Sequence, residues 1–220
     1  MKYKAVIFDM DGVIFDSERL VLESWKQIAE KYGIQNVEEV LIKCIGVNAV
    51  ITRDIFLEYY GKDFPYDMYK TECSSLFHTW CKTKGLPIKK GVTELLKYLN
   101  DSGYKVGLAS STRYEIVKEE LEEAGLLPYF HNLTGGDMLK KSKPEPDIFL
   151  MACESLSVKP EEAIGIEDSY NGIRALSRAG MLPVMVPDMI APDEEMKDLA
   201  EFIFDDLLEV LKWIQTSRGI

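Results

Sequence analysis

The chain has 220 residues, of which 46% are hydrophobic and 29% charged, values that are ordinary for a globular protein with a sizeable core. Its formal net charge of −11 disfavours nucleic acid and anionic membranes as partners, and no apolar run approaches the roughly 20 residues that cross a bilayer. No signal-peptide pattern precedes the first apolar run, and the four scattered cysteines lack C-x-x-C spacing, so we expect a cytoplasmic protein with reduced thiols.

The first strand is predicted in the apolar run Ala5–Phe8, directly before the turn-like "DMDG". A helix follows from about Ser17 to Tyr32, because apolar residues recur on one stripe and Gly33 stops it. The pattern then stays helical to about Lys84, and no convincing strand occurs in this part of the sequence. About seventy residues therefore separate the first strand from the next, which is too long for a connecting loop.

A helical domain inserted after the first strand explains this separation. We expect it to comprise residues 17–87, with residues 1–16 and 88–220 forming the other domain. Past residue 88, helices of about ten residues alternate with short apolar strands, which are predicted in "YKVGLAS", "FHNLTGG", "AIGIEDS" and "LPVMVP". Such alternation implies βαβ crossovers, so the predicted fold class is α/β, with a Rossmann-like parallel sheet covered by helices on both faces.

Carboxylates follow two of the predicted strands. Asp9 and Asp11 end the first strand, and Glu167 and Asp168 end "AIGIEDS". Because functional groups gather at the carboxyl ends of parallel strands, we expect these side chains to meet at one edge of the sheet. Like charges in such a group repel one another unless a divalent cation lies among them, and oxygen ligands suit Mg²⁺. The sequence therefore predicts a magnesium site at this edge.

Hydroxyl and ammonium groups are predicted to reach the same edge. The strand "VGLASST" ends in Ser110, Ser111 and Thr112, and Lys143 precedes a helix opened by prolines. Phosphoryl transfer needs such parts: one carboxylate can attack phosphorus to form an aspartyl-phosphate, and the other can move a proton. Ser110 can hold phosphoryl oxygens, and Lys143 can neutralise their charge. Each segment alone could also be structural, as a turn or a helix cap.

The segments "DMDGVIFDS", "LASST", "SKPEPDIF" and "GIEDSYNG" resemble, in this order, the four motifs of the haloacid dehalogenase-like (HAD) hydrolases. The chain is most similar to the subgroup of β-phosphoglucomutase and sugar-phosphate phosphatases, over nearly its whole length, inserted helical cap included. The resemblance implies catalytic roles for Asp9 as nucleophile, Asp11 as acid and base, Ser110 on phosphate and Lys143 as charge clamp. It implies that Mg²⁺ is held by Asp9, Asp11, Asp168 and Glu167, the last as a ligand or as a group that supports the ligands.

Phosphatases and phosphomutases of this family share the core and differ in the cap. Asp11 argues against a true dehalogenase, because dehalogenases of the family lack this second aspartate and need no metal. The cap histidine and arginine of β-phosphoglucomutase fall on Val21 and near Ala49 here. We therefore expect a Mg²⁺-dependent phosphatase acting on a small phosphorylated metabolite such as a sugar phosphate. A β-phosphoglucomutase-type mutase is the alternative, and a binding protein that has kept the fold without turnover is a second one.

Residues that contact the rest of the substrate are expected beside the phosphate site and in the cap. The candidates are Ser111 and Arg113 after the second strand, and Gly46 and Asn48 in the cap loop "GVN". This loop matches the specificity loop of the mutase only in part.

Overall fold

The structure is a computed structural model that describes residues 2–45 and 49–216. It divides into two compact units. The core unit comprises the chain through Phe15 and from Ile88 onward, and the helical unit comprises Asp16–Pro87. Among the described residues, no helix combines the length and the apolar character that a membrane span requires.

The core unit is built on a six-stranded sheet with the strand order β3-β2-β1-β4-β5-β6, in which every neighbouring pair is parallel. Its strands are β1 (Ala5–Phe8), β2 (Lys105–Ser110), β3 (Asn132–Gly135), β4 (Ala163–Glu167), β5 (Leu182–Met185) and β6 (Phe202–Ile203). All four residues of β1 are buried, as expected for a central strand whose two faces are both covered. The predicted α/β class with a parallel sheet is confirmed.

The helices of the helical unit are α1 (Ser17–Tyr32), α2 (Val37–Ile42), α3 (Ala49–Tyr60) and α4 (Tyr66–Lys84). Those of the core unit are α5 (Val92–Asp101), α6 (Tyr114–Glu123), α7 (Asp147–Ser155), α8 (Tyr170–Ala179), α9 (Glu194–Leu199) and α10 (Leu207–Thr216). No pattern in the sequence predicted α9. Its six residues are too few to show a helical period, although Asp193 caps it by accepting a hydrogen bond from Met196 N at 2.8 Å.

The register of the sheet brings the carboxyl ends of β1, β2 and β4 within two residues of one another. Phe8, the last residue of β1, pairs with Leu108 on one side and with Ile166 on the other. The next backbone amide, Asp9 N, donates to Ile166 O at 2.9 Å and so extends the ladder by one bond. Side chains that follow β1, β2 and β4 therefore emerge at the same edge of the sheet.

The helical unit has its own aromatic core. The ring of Trp25 in α1 lies 4.7 Å from that of Phe56 in α3 and 5.9 Å from that of Tyr66 in α4. All three side chains are buried. Such contacts hold the helices together as a separate hydrophobic cluster.

Candidate active site

Three buried carboxylates meet at the carboxyl edge of the sheet. Asp9 follows β1, Glu167 is the last residue of β4, and Asp168 comes next. One oxygen from each lies within 4.8 Å of the others, and all three residues are buried. Because isolated buried carboxylates are strongly destabilising, this arrangement requires compensating positive charge.

Lys143 supplies part of that charge. Its Nζ donates to Asp9 Oδ1 at 2.5 Å, to Glu167 Oε1 at 2.7 Å and to the carbonyl oxygen of Ala109 at 3.2 Å. The ammonium also lies 4.9 Å from the centre of the Phe149 ring. Its side chain is only 7% exposed, so these contacts take the place of water.

The charged side chains of this site shift one another's pKa values. Burial raises the pKa of Asp9, and the negative charges of Glu167 and Asp11 act in the same direction, while Lys143 opposes them. Burial by itself would lower the pKa of Lys143, but the adjacent Asp9 and Glu167 carboxylates outweigh it and raise that pKa. Lys143 therefore stays a cation across the physiological range.

Glu167 is held by the turn that leads into α8. Its Oε2 accepts hydrogen bonds from Asp168 N at 2.9 Å, Ser169 N at 2.8 Å and Ser169 Oγ at 3.0 Å. A Cβ on Gly172 would lie 1.8 Å from the carboxyl group of Glu167, so only glycine fits at that place in α8. The carboxylate of Glu167 thus links Lys143 to the segment that carries Asp168.

Asp168 lies against the turn after β1. A Cβ on Gly12 would lie 2.3 Å from Asp168 Oδ2, and Gly12 has φ +79°, a backbone conformation that disfavours any side chain. The "DMDG" glycine is therefore needed both for the turn and for the space that Asp168 occupies. The sequence indicated the turn, but it did not indicate this close approach.

The residues present fit a divalent cation. The donors offered by Asp9, Glu167 and Asp168 are all carboxylate oxygens, which hard cations such as Mg²⁺ prefer. Three carboxylates with one ammonium leave an excess of negative charge in a buried place, and a bound cation would offset it. Glu167 already accepts four hydrogen bonds. It can therefore either bind the cation directly or hold the residues around the cation in place.

Asp11 and Ser110 are both hydrogen-bonded to Thr112, whose hydroxyl was expected at this edge but without a catalytic, metal-binding or substrate-binding role. Thr112 Oγ1 donates to Asp11 Oδ2 at 3.0 Å, and Thr112 N donates to Ser110 Oγ at 3.0 Å. Accepting that bond does not use the hydroxyl hydrogen of Ser110, which can still be donated to a ligand. Ser110 is buried and Asp11 is half-buried.

Of the four residues predicted to contact the substrate, two lie in the described part of the chain. Ser111 and Arg113 are both exposed, and Arg113 is the extended residue directly before α6. Gly46 and Asn48 lie outside the described residues. The roles of these four residues in binding substrate stay predictions.

The sequence profile of haloacid dehalogenase-like hydrolases matches residues 6–186. The chain belongs to this family. The match runs from the first strand to the residue after β5 and includes all four motif segments. The resemblance inferred from those segments is confirmed.

Known proteins similar to the chain include enzymes that act on phosphorylated sugars. A phosphorylated carbohydrates phosphatase from Thermotoga maritima is 33% identical over 182 residues, which cover 81% of this chain and 82% of that protein. A β-phosphoglucomutase from Bacillus subtilis is 34% identical over 191 residues, which cover 83% of each chain. The crystal structure of β-phosphoglucomutase from Clostridium difficile matches with a TM-score of 0.78 and 28% identity, over 97% of this chain and 96% of that one.

Proposed function

We propose that the protein is a Mg²⁺-dependent phosphatase that hydrolyses a small phosphorylated metabolite, in the first place a sugar phosphate. The observation that carries the proposal is the position of the Lys143 ammonium, 2.5 Å from Asp9 and 2.7 Å from Glu167, in a group that also contains Asp168. The similarity to a phosphatase of phosphorylated carbohydrates supports the substrate class. The four cysteines, which the described chain contains as thiols without a disulfide, support a cytoplasmic location.

In this proposal Asp9 attacks the phosphorus atom and forms an aspartyl-phosphate, while the bond from phosphorus to the leaving oxygen breaks. Asp11 gives its proton to that oxygen and later removes one from the water that hydrolyses the intermediate. Lys143 and Ser110 bind the phosphoryl oxygens, where charge is spread in the transition state. A bound Mg²⁺, held by Asp9, Asp168, the Asp11 carbonyl and Glu167 directly or through water, would supply further positive charge there.

A phosphosugar mutase is the second candidate, since β-phosphoglucomutases are among the similar proteins. In such an enzyme the phosphoryl group would pass to a second sugar hydroxyl instead of water. Val21 stands where the mutase cap has its histidine, and valine can neither donate nor accept a proton. This difference favours the phosphatase.

Two assays test the proposal. Release of phosphate from p-nitrophenyl phosphate should require Mg²⁺ and stop on chelation with EDTA. Incubation with β-glucose 1-phosphate and a trace of the 1,6-bisphosphate then separates the candidates, because a phosphatase yields free glucose and a mutase yields glucose 6-phosphate. No turnover with any metal or phosphosugar would instead support the binding protein.

A further inference from the structure

We propose that Thr112 is a positioning residue that orients the Asp11 carboxyl group for protonation of the leaving oxygen. The inference rests on the proposed function, because it concerns how Asp11 performs its acid role. Thr112 would act through Asp11 and need not contact the reacting atoms.

The contact that carries the inference joins two segments of the core unit. Thr112 Oγ1 donates to Asp11 Oδ2 at 3.0 Å, although the two residues are 101 positions apart in the sequence. A carboxyl group turns about its last side-chain bond with little resistance, so a fixed donor restricts its orientation. The donor is neutral, and it therefore orients Asp11 without stabilising the charged form as strongly as an ammonium would.

The backbone of Thr112 is itself fixed on both sides. Its N–H donates to Ser110 Oγ at 3.0 Å, and its carbonyl oxygen accepts from Gly136 N at 2.9 Å. Gly136 packs so closely that a Cβ there would lie 2.2 Å from the Ser111 carbonyl oxygen. The β-branched threonine side chain also has few rotamers, so its hydroxyl is delivered to a defined point.

Misorientation of Asp11 has a consequence that depends on the leaving group. A strongly basic leaving oxygen needs the proton of Asp11 as the bond to phosphorus breaks, whereas p-nitrophenolate departs readily as an anion. Phenyl phosphate and p-nitrophenyl phosphate are similar in size and differ mainly in the basicity of the oxygen that leaves. The ratio of their kcat/KM values therefore reports on proton transfer, and it is insensitive to a general loss of folded enzyme.

The experiment compares Thr112→Val, which keeps the shape and removes the donor, with Thr112→Ser, which keeps the donor. Thr112→Ala is the second donor-free variant. We expect Thr112→Val and Thr112→Ala to lower kcat/KM for phenyl phosphate about tenfold, a fraction of the 10²–10⁴-fold contribution of a general acid, and that for p-nitrophenyl phosphate less than twofold. Thr112→Ser should stay within about twofold of the wild type for both substrates.

Asp11→Asn separates this inference from the proposed function. If Asp11→Asn shows the unequal loss and Thr112→Val does not, the positioning role of Thr112 is wrong and the acid role of Asp11 stands. An equal loss for both substrates in Thr112→Val, with a raised KM, would mean that the hydroxyl contacts the substrate and would overturn the inference. If Asp11→Asn lowers both values equally, the acid role fails and the inference fails with it.

Discussion

The two aspartates that follow β1 are two positions apart, but their surroundings differ. Asp9 is buried and forms an ion pair with Lys143, whereas Asp11 is half-buried and accepts a hydrogen bond from the neutral hydroxyl of Thr112. Two carboxyl groups in unlike environments can take unlike roles in one reaction. The buried, ion-paired Asp9 suits attack on phosphorus. The more solvent-exposed Asp11 suits the exchange of protons with a leaving group and water.

The largest predicted effect comes from replacing Asp9, the proposed nucleophile. Asp9→Asn keeps the size of the side chain and its place beside Lys143 but cannot form the aspartyl-phosphate. We expect kcat for p-nitrophenyl phosphate to fall by roughly 10⁴-fold or more, as when the nucleophile of other covalent enzymes is removed. The thermal midpoint shows whether the variant is folded. Turnover at the wild-type rate would mean that another group attacks phosphorus.

Lys143→Met removes the buried positive charge beside Asp9. Breaking a buried ion pair by removing one partner costs about 3–5 kcal/mol, because the remaining charges stay buried, and Asp9 and Glu167 would then face each other. We expect a loss of that size in the free energy of unfolding, measured with denaturant in the absence of Mg²⁺, and a fall in kcat of at least about 10²-fold.

The matched control for that variant is Lys4→Met. Lys4 also lies 2.5 Å from a carboxylate, that of Glu162, but its side chain is 57% exposed. An exposed pair contributes less than about 1 kcal/mol, so this variant should be close to the wild type in both stability and activity. Equal losses in the two methionine variants would contradict the assigned importance of burial.

The edge at which the site lies could be predicted from the sequence. The buried strand β1 runs as four apolar residues directly into Asp9, and the parallel class places the carboxyl ends of β1, β2 and β4 at the same edge of the sheet. Hydrophobic runs and glycine stops also predicted the first helix, α1, between the same residues that bound it in the structure. Local pattern and chain topology are sufficient for such features.

The contacts that distinguish the two aspartates could not be predicted in this way. The bond from Thr112 to Asp11 depends on a rotamer and on the approach of Gly136, and three of the four hydrogen bonds to Glu167 come from the turn that leads into α8. Neither leaves a periodic signal in the sequence. The residues that contact the substrate could not be predicted either, because side-chain type alone does not show what a cap residue contacts.

Gly12→Ala tests whether Asp168 depends on the turn after β1. The added Cβ would lie 2.3 Å from Asp168 Oδ2, so the carboxylate must move. We expect the affinity for Mg²⁺, measured by titration calorimetry, to fall by about 10-fold or more, the size of effect seen when groups that orient metal ligands are changed. Gly103→Ala is the control, because Gly103 has nearly the same φ, +78°, and a Cβ there would meet nothing within 4 Å. A control that lost Mg²⁺ affinity to the same extent would assign the effect to backbone strain instead.

The smallest predicted effect concerns Glu120 in α6, a residue close enough to Asp11 to feel its charge. Burial raises the pKa of Glu120 to about 8, and the negative charge of Asp11 adds to the shift. The folded state therefore holds this proton more tightly than the unfolded chain does, so the contribution of Glu120 to stability is full at acidic pH and is lost as the pH rises to about 8.

Glu120→Gln replaces the protonated acid by a neutral side chain of the same shape and should remove this pH dependence. We expect its thermal midpoint without Mg²⁺ to match the wild type near pH 5 and to exceed it at pH 8.5 by about 2–4 °C, the shift that about 1 kcal/mol produces in a chain of this size. Glu119→Gln, at the neighbouring exposed position, should follow the wild type at both pH values. Parallel midpoint curves for Glu120→Gln and the wild type would mean that Glu120 is ionised throughout. The surroundings of Asp11 would then be more exposed to solvent than the structure indicates. The difference in exposure between Asp11 and the buried Asp9 would be larger.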